Sequence, residues 1–235
     1  VRLPSLLDPP IGFAHRGGCA HAPENTIEAF LLGVRLGATG VESDVWLTAD
    51  GIPVLVHDGE LRLGMRKRPI AGLRRDELPG WLPSLAELYD AVGTELPLSL
   101  DVKDPAAAAP VVAVAREAGG GAEANLHLCG NELEATAAWR PLSASARLVH
   151  SCRLRDMKEG PERRAAALAD TGIDVVNMPH RDWTGGLTTL FHRFDRLCFG
   201  WDAQHARQIR ELLEMGCDAV YSDHCDRLAD ELARR

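Results

Sequence analysis

Apolar residues in this chain fall into two alternating patterns. Short runs that are continuous or apolar at every second position mark buried strands. Each is followed by a stretch in which apolar residues recur every three to four positions, the spacing of an amphipathic helix. The first run is Ile11–Ala14, ending at the turn His15-Arg16-Gly17-Gly18. Pro23-Glu24-Asn25-Thr26 then opens a helix carrying Ile27, Phe30, Leu31 and Val34, closed by Gly37 and Gly40. A second strand covers 41–46, with an extension over 54–58 beyond the turn at Asp50-Gly51. An Arg- and Gly-rich loop occupies 59–83, and a helix begins at Ser84. The third strand, 96–103, sets Leu98, Leu100 and Val102 on one face and Ser99, Asp101 and Lys103 on the other. Pro105 leads an Ala/Val-rich helix that stops at Gly119. Five more strands are predicted at 125–129, Arg147–Ser151, 174–177, 196–201 and 218–222. Their helices fall at 132–139, 162–169, 186–194, 203–214 and Cys225–Ala233.

Eight strand-then-helix units in 235 residues predict an α/β protein of the closed (β/α)8 TIM barrel type, with an open doubly wound sheet as the alternative. No linker, low-complexity tract or shift in composition divides the chain, so 1–235 reads as a single domain.

Charge narrows the function. The formal net charge is -8, which argues against non-specific nucleic-acid binding and against stable association with an anionic membrane. An anionic substrate stays open, because a metal with one Arg and one Lys can hold a phosphate locally. The first residues have too short an apolar run for a signal peptide, and no segment is long enough to span a bilayer, which makes cytoplasmic the default location. The six cysteines form no Cys-x-x-Cys pair, and reduced thiols are expected.

In a barrel of this kind the active site lies at the C-terminal strand ends. The first strand ends in His15 and Arg16. The second carries Glu42 and Asp44 on one face, its extension carries His57, and the third carries Asp101 and Lys103. Paired carboxylates at the end of an apolar strand repel each other and are costly to desolvate, and a hard divalent cation relieves both problems. Glu42, Asp44 and Asp101 can therefore share one ion, Mg²⁺ or Ca²⁺, with Mn²⁺ also suitable. Arg16 and Lys103 supply positive charge for phosphate oxygens. His15 and His57 can act as general acid and base. The set suits metal-assisted hydrolysis of a phosphate ester. Trp201 ends the seventh strand and can line a pocket for an alcohol moiety or pack against the barrel wall. Trp46 shares the face of Glu42 and Asp44 and can wall the same site.

These residues carry a resemblance. His15-Arg16-Gly17, Pro23-Glu24-Asn25-Thr26, Glu42-x-Asp44-Val45 and Val56-His57-Asp58 resemble, in order and spacing, the signature of the glycerophosphodiester phosphodiesterase family. Leu100-Asp101-Val102-Lys103 is similar to its later acidic-x-Lys strand, and Gly216-Cys217-Asp218 through Asp223 to its closing segment. The resemblance implies a (β/α)8 barrel of the PLC-like phosphodiesterase type. It implies metal-dependent cleavage of a small-molecule glycerophosphodiester into an alcohol and glycerol 3-phosphate. Carried over by position, Glu42 and Asp44 are metal ligands, His15 and His57 the acid–base pair, and Arg16 and Lys103 phosphate contacts. Pro23 to Thr26 shapes the first turn.

The chain departs from the family pattern at three places. Asp101 stands where Glu is usual, one methylene shorter. The segment from Leu61 to Arg68 keeps Leu and Arg but lacks a Thr pair, and the 59–83 loop is short beside the insertion subdomain of larger members. Two other functions fit the same barrel. One is cleavage of lysophospholipid or sphingolipid phosphodiesters, which an exposed apolar rim would favour. The other is a catalytically impaired binding protein.

Overall fold

The computed structural model describes residues 2–234, and in it eight parallel strands close on one another. They are β1 (Ile11–Ala14), β2 (Gly40–Leu47), β6 (Leu98–Val102), β7 (Leu126–Gly130), β8 (Arg147–Ser151), β9 (Val175–Pro179), β10 (Leu197–Trp201) and β11 (Ala219–Ser222). Closure is direct: β1 pairs in parallel with β2 on one side and with β11 on the other. The helices between strands are α1 (Ile27–Arg35), α2 (Leu85–Val92), α3 (Ala108–Ala118), α4 (Leu133–Ala137), α5 (Pro161–Asp170), α6 (Gly185–His192) and α7 (Ala206–Glu214), and α8 (Cys225–Ala233) follows β11. The chain therefore folds as the predicted (β/α)8 TIM barrel, and the open-sheet alternative is excluded.

The period-2 pattern explains the two cores. Outward residues such as Val41, Val45, Leu98 and Leu100 pack beneath the helices in the larger cluster. Inward residues fill the barrel: Phe13 stacks on Tyr221 with ring centroids 4.7 Å apart, and Phe199 and His127 close in from the other side. Burying each of these aromatics is worth about 2–3 kcal/mol. Together they form a floor, so polar groups on the same strands one layer higher face an open mouth.

Two stretches differ from the sequence expectation. Residues 59–83 are not a plain loop but carry an antiparallel hairpin, β4 (Glu60–Leu63) and β5 (Arg66–Pro69). Leu61 and Leu63 alternate with exposed Glu60 and Arg62, and this face joins Val54, Ile70, Leu73, Leu78 and Leu82 in a satellite cluster. The Arg content masked that alternation. β3 (Pro53–Leu55) runs antiparallel to the upper half of β2. Helix α7 starts at Ala206 rather than 203, because the Gln208 side chain caps it by accepting from the N–H groups of Gln204 and His205. All six cysteines are unpaired. No helix among the described residues is long and apolar enough to cross a membrane.

The end of the barrel opposite the mouth is held by Asp218, fully buried before β11. Its carboxylate accepts from the N–H groups of Leu6 (2.6 Å), Leu7 (3.0 Å) and Cys198 (2.7 Å), from Ser5 Oγ (2.8 Å) and from His192 Nε2 (2.8 Å). Burial alone would raise its pKa, but these donors reverse the effect and hold it below the usual carboxylate value. A lowered folded pKa means the stabilisation is present above the unfolded value and fades as pH falls through the folded one. Asp218→Asn should cost about 2–4 kcal/mol at neutral pH, with the gap to wild type shrinking in acid. Urea unfolding at several pH values measures this, and a pH-independent gap would contradict it.

Candidate active site

The mouth is a cavity of about 750 Å³ whose lining includes His15, Arg16, Glu42, Asp44, Asp101, Lys103 and Trp201. Strand register explains the grouping. Asp44 lies beside Asp101 and Glu42 beside Ser99, so Glu42 sits one layer deeper on the same inward face. Glu42 is 6% exposed and Asp44 2%.

The turn after β1 is built for these carboxylates. Arg16 adopts the left-handed backbone region at φ 50°, an uncommon conformation for a side-chain-bearing residue. That conformation points its N–H at Glu42 Oε2, 2.9 Å away. Gly17 follows at φ 82°, and a Cβ there would lie 2.7 Å from the Phe30 nitrogen, so glycine is required. Asn25 donates its N–H to the Arg16 carbonyl (3.0 Å), accepts from Ser43 Oγ (2.7 Å) and reaches Asp44 Oδ2 with Nδ2 at 3.4 Å. Thr26 then caps α1 by accepting from the Ala29 N–H. The Pro-Glu-Asn-Thr segment thus shapes the turn, and Asn25 also braces Asp44.

The charges around the carboxylates do not fully balance. Arg16 Nη1 binds Glu24 at 2.8 Å, while its buried Nε lies 3.3 Å from Asp44 without a hydrogen-bond alignment. Lys103 Nζ stands between Asp101 (2.6 Å) and Asp44 (3.1 Å). Burial, reinforced by the like charges of Asp44 and Asp101, pushes Glu42 up to about 7 against the pull of His15 and the Arg16 N–H. Loosely satisfied carboxylate oxygens at a cavity wall suit a hard cation, which would supply the missing positive charge. Among the described residues, ligand atoms within 4.8 Å of one another occur in three sets, one of them containing His15 with Cys19 and Asp223; Glu42, Asp44 and Asp101, expected to share an ion, do not form such a set.

His15 is held by a partner not expected from the sequence. Its Nδ1 lies 2.6 Å from Asp223 Oδ1, and its Nε2 lies 3.8 Å from Glu42 Oε2. Burial would lower its pKa, but Glu42 and the Asp223 hydrogen bond raise it well above the ordinary histidine value. Asp223 is held down to about 2, burial being outweighed by His15. With Nδ1–H donated to Asp223, the proton that can be exchanged is the one on Nε2. Barrel closure is the signal for this pairing, since it sets the end of β11 beside the end of β1.

His57 is not drawn into the cavity lining. The reversal at β3 returns Val56 to the level of Asp44, whose carbonyl accepts the Val56 N–H at 3.1 Å. The His57 ring, 39% exposed, turns to Asp58 at 2.8 Å. Trp46 does not wall the mouth. It packs in the satellite cluster and donates Nε1–H to the His57 carbonyl. Trp201 does line the cavity while packing on the barrel interior, with the Arg153 guanidinium 5.1 Å from its ring centroid. His150 also lines the cavity and accepts from Arg164 Nη1 at 2.8 Å, and burial pushes it down to about 4.

Glu42 should therefore weaken the metal-free fold. Its folded pKa is raised, so its contribution is most favourable below the unfolded value and is lost as pH rises through about 7. In chelator, Glu42→Gln should be more stable than wild type by about 3 kcal/mol above neutrality and by little in acid. Denaturant unfolding across pH decides this; parallel pH profiles would refute it.

Residues 15–102 match the glycerophosphoryl diester phosphodiesterase family, which spans the turn after β1, both carboxylates of β2, His57 and Asp101. Glycerophosphodiester phosphodiesterase 1 of Homo sapiens is 60% identical over 45 residues, 19% of this chain and only 14% of the human protein. The probable glycerophosphodiester phosphodiesterase 2 of Mycobacterium tuberculosis is 26% identical over 96% of this chain and 91% of its own length. Among solved structures, the Thermotoga maritima glycerophosphodiester phosphodiesterase superposes with TM-score 0.81 at 22% identity, covering 94% of this chain and 97% of that one. An Oleispira antarctica phosphodiesterase in complex with the product sn-glycerol-3-phosphate gives TM-score 0.82 at 21% identity, covering 95% and 97%. These two superpositions establish a shared fold, and the sequence match falls on the residues that build the mouth. Over residues 15–102, which hold most of the groups at the mouth, the chain is similar to the glycerophosphoryl diester phosphodiesterase family.

Proposed function

We propose that this protein hydrolyses glycerophosphodiesters to an alcohol and sn-glycerol 3-phosphate with one divalent cation, Mg²⁺ or Ca²⁺, Mn²⁺ also serving. The observation that carries the reading is the convergence, in one cavity, of Glu42, Asp44 and Asp101 with His15, Arg16 and Lys103, His15 being paired behind with Asp223. The same activity is named in the human relative, and the Oleispira enzyme is described with the corresponding product.

Glu42, Asp44 and Asp101 would hold the ion. When bound, it supplies positive charge for the phosphate oxygens and for the charge that develops on them. Arg16 and Lys103 are paired with carboxylates, and part of their hydrogen-bonding capacity would be available to phosphate oxygens with a cation held by those carboxylates. His15, kept protonated by Glu42 and aligned by Asp223, gives its Nε2 proton to the leaving alkoxide. His57, partly exposed, takes a proton after turning from Asp58, either from an attacking water or from the neighbouring glycerol hydroxyl, whose cyclic phosphate water then opens. Trp201 provides an apolar face for the glycerol or the alcohol. Asp101, shorter by one methylene than the family's usual Glu, is the ligand at which metal preference is set. Six unpaired cysteines fit a reducing compartment, and we place the protein in the cytoplasm.

Supplying glycerophosphocholine with Mg²⁺, Mn²⁺ or Ca²⁺ should release glycerol 3-phosphate, and His15→Ala should lower kcat by about 10²–10⁴-fold. Absence of product with every ion would contradict the activity. Unchanged turnover in His15→Ala and His57→Ala would contradict the roles.

A further inference from the structure

A second cluster of metal-binding side chains lies outside the cavity. His21, His224 and Asp226 each present a ligand atom, all within 4.8 Å of one another. His21 Nε2 is 3.1 Å from Asp226 Oδ1. For metal–ligand bonds of about 2.0–2.1 Å, a tetrahedral site has ligands about 3.3 Å apart, so this pair already spans one edge of such a site. The rings of His21 and His224 meet edge to face, with centroids 5.9 Å apart and planes at 87°.

The three residues come from two loops at the ends of the chain. His21 is in the β1–α1 loop, His224 follows β11, and Asp226 is in the first turn of α8. The loops are already joined, the Ala20 N–H donating to the Asp223 carbonyl at 3.3 Å, so the ligands rest on a formed backbone. Arg227, next to Asp226, donates Nη1–H to the Gln204 carbonyl at 2.7 Å, so its guanidinium is engaged there although its charge is felt at His224.

We propose that His21, His224 and Asp226 form a second metal site, taking a borderline transition ion of the zinc class. Two imidazoles and one carboxylate suit Zn²⁺, where the all-carboxylate set of the mouth suits a harder ion. Burial, then the charges of Arg227 and His21, lowers the His224 pKa, which favours the neutral imidazole a metal requires. His224 adjoins Asp223, the partner of His15, so an ion here ties the β1–α1 loop to the loop that aligns the proposed acid. The site does not depend on the proposed reaction.

The test is titration of chelated, untagged protein with Zn²⁺ against a chromophoric chelator, in wild type, Glu42→Gln, His21→Ala and His224→Ala. One Zn²⁺ equivalent should survive in Glu42→Gln and weaken by about 100-fold or more in each histidine variant. At a hundredfold excess over Kd, Zn²⁺ should raise the melting temperature of wild type and Glu42→Gln by about 5 °C, and of neither histidine variant. Zinc affinity unchanged in both histidine variants would overturn the site. So would loss of that equivalent in Glu42→Gln alone, which would assign the zinc to the mouth. Because the readout is metal binding, it stands whether or not glycerophosphodiesters prove to be substrates.

Discussion

Carboxylates buried at the mouth of the barrel without enough positive charge are the constraint around which this structure is arranged. Glu42 and Asp44 lie on the inward face of β2, nearly inaccessible, with Asp101 beside Asp44 on the next strand. The surrounding parts serve them. A left-handed Arg16 turns a backbone N–H onto Glu42, Asn25 braces Asp44, and Lys103 stands between Asp44 and Asp101. What these donors leave unbalanced appears in Glu42, whose affinity for a proton rises as burial takes hold.

The same barrel shows the opposite outcome at its other end. Asp218 is as deeply buried, yet it accepts hydrogen bonds from five donors and keeps its charge with ease. One carboxylate is fully served and ties the chain's start to β10 and β11. The other is underserved and opens onto a cavity. Burial is common to both, so the supply of donors sets the opposite directions of their pKa shifts. The aromatic floor of Phe13, Phe199 and Tyr221 keeps the two environments apart.

Much of this could be read from the chain before folding. The alternation of strand and helix patterns places the barrel, and the rule that sites lie at C-terminal strand ends brings His15, Arg16, Glu42, Asp44, Asp101 and Lys103 to one mouth. Local pattern does not report pairing between distant residues. Asp223 reaches His15 only because β11 closes on β1, 208 positions away in sequence. Lys103 and Arg16 read as free cations for phosphate, and only the register and side-chain reach show them bound to carboxylates. The 59–83 hairpin was hidden because its polar face is so rich in Arg that its apolar alternation drops out of the average. Trp46 shares the parity of Glu42 and Asp44, yet it lies beyond the end of the β6 pairing at Val45, where it pairs with β3 and packs in the satellite cluster. Parity assigns a face; the neighbouring chain decides what that face meets.

Burial raises the proton affinity of Glu42, so a cation entering the mouth would compete with a proton for that carboxylate. Calorimetric titration of the chelated protein with Mg²⁺ or Ca²⁺, repeated in buffers of different ionisation enthalpy, counts the protons released on binding. The account predicts about one proton released near pH 6 and almost none above about pH 8.5, with release lost in Glu42→Gln. Cation binding with no proton release near pH 6, or release that persists in Glu42→Gln, would contradict it.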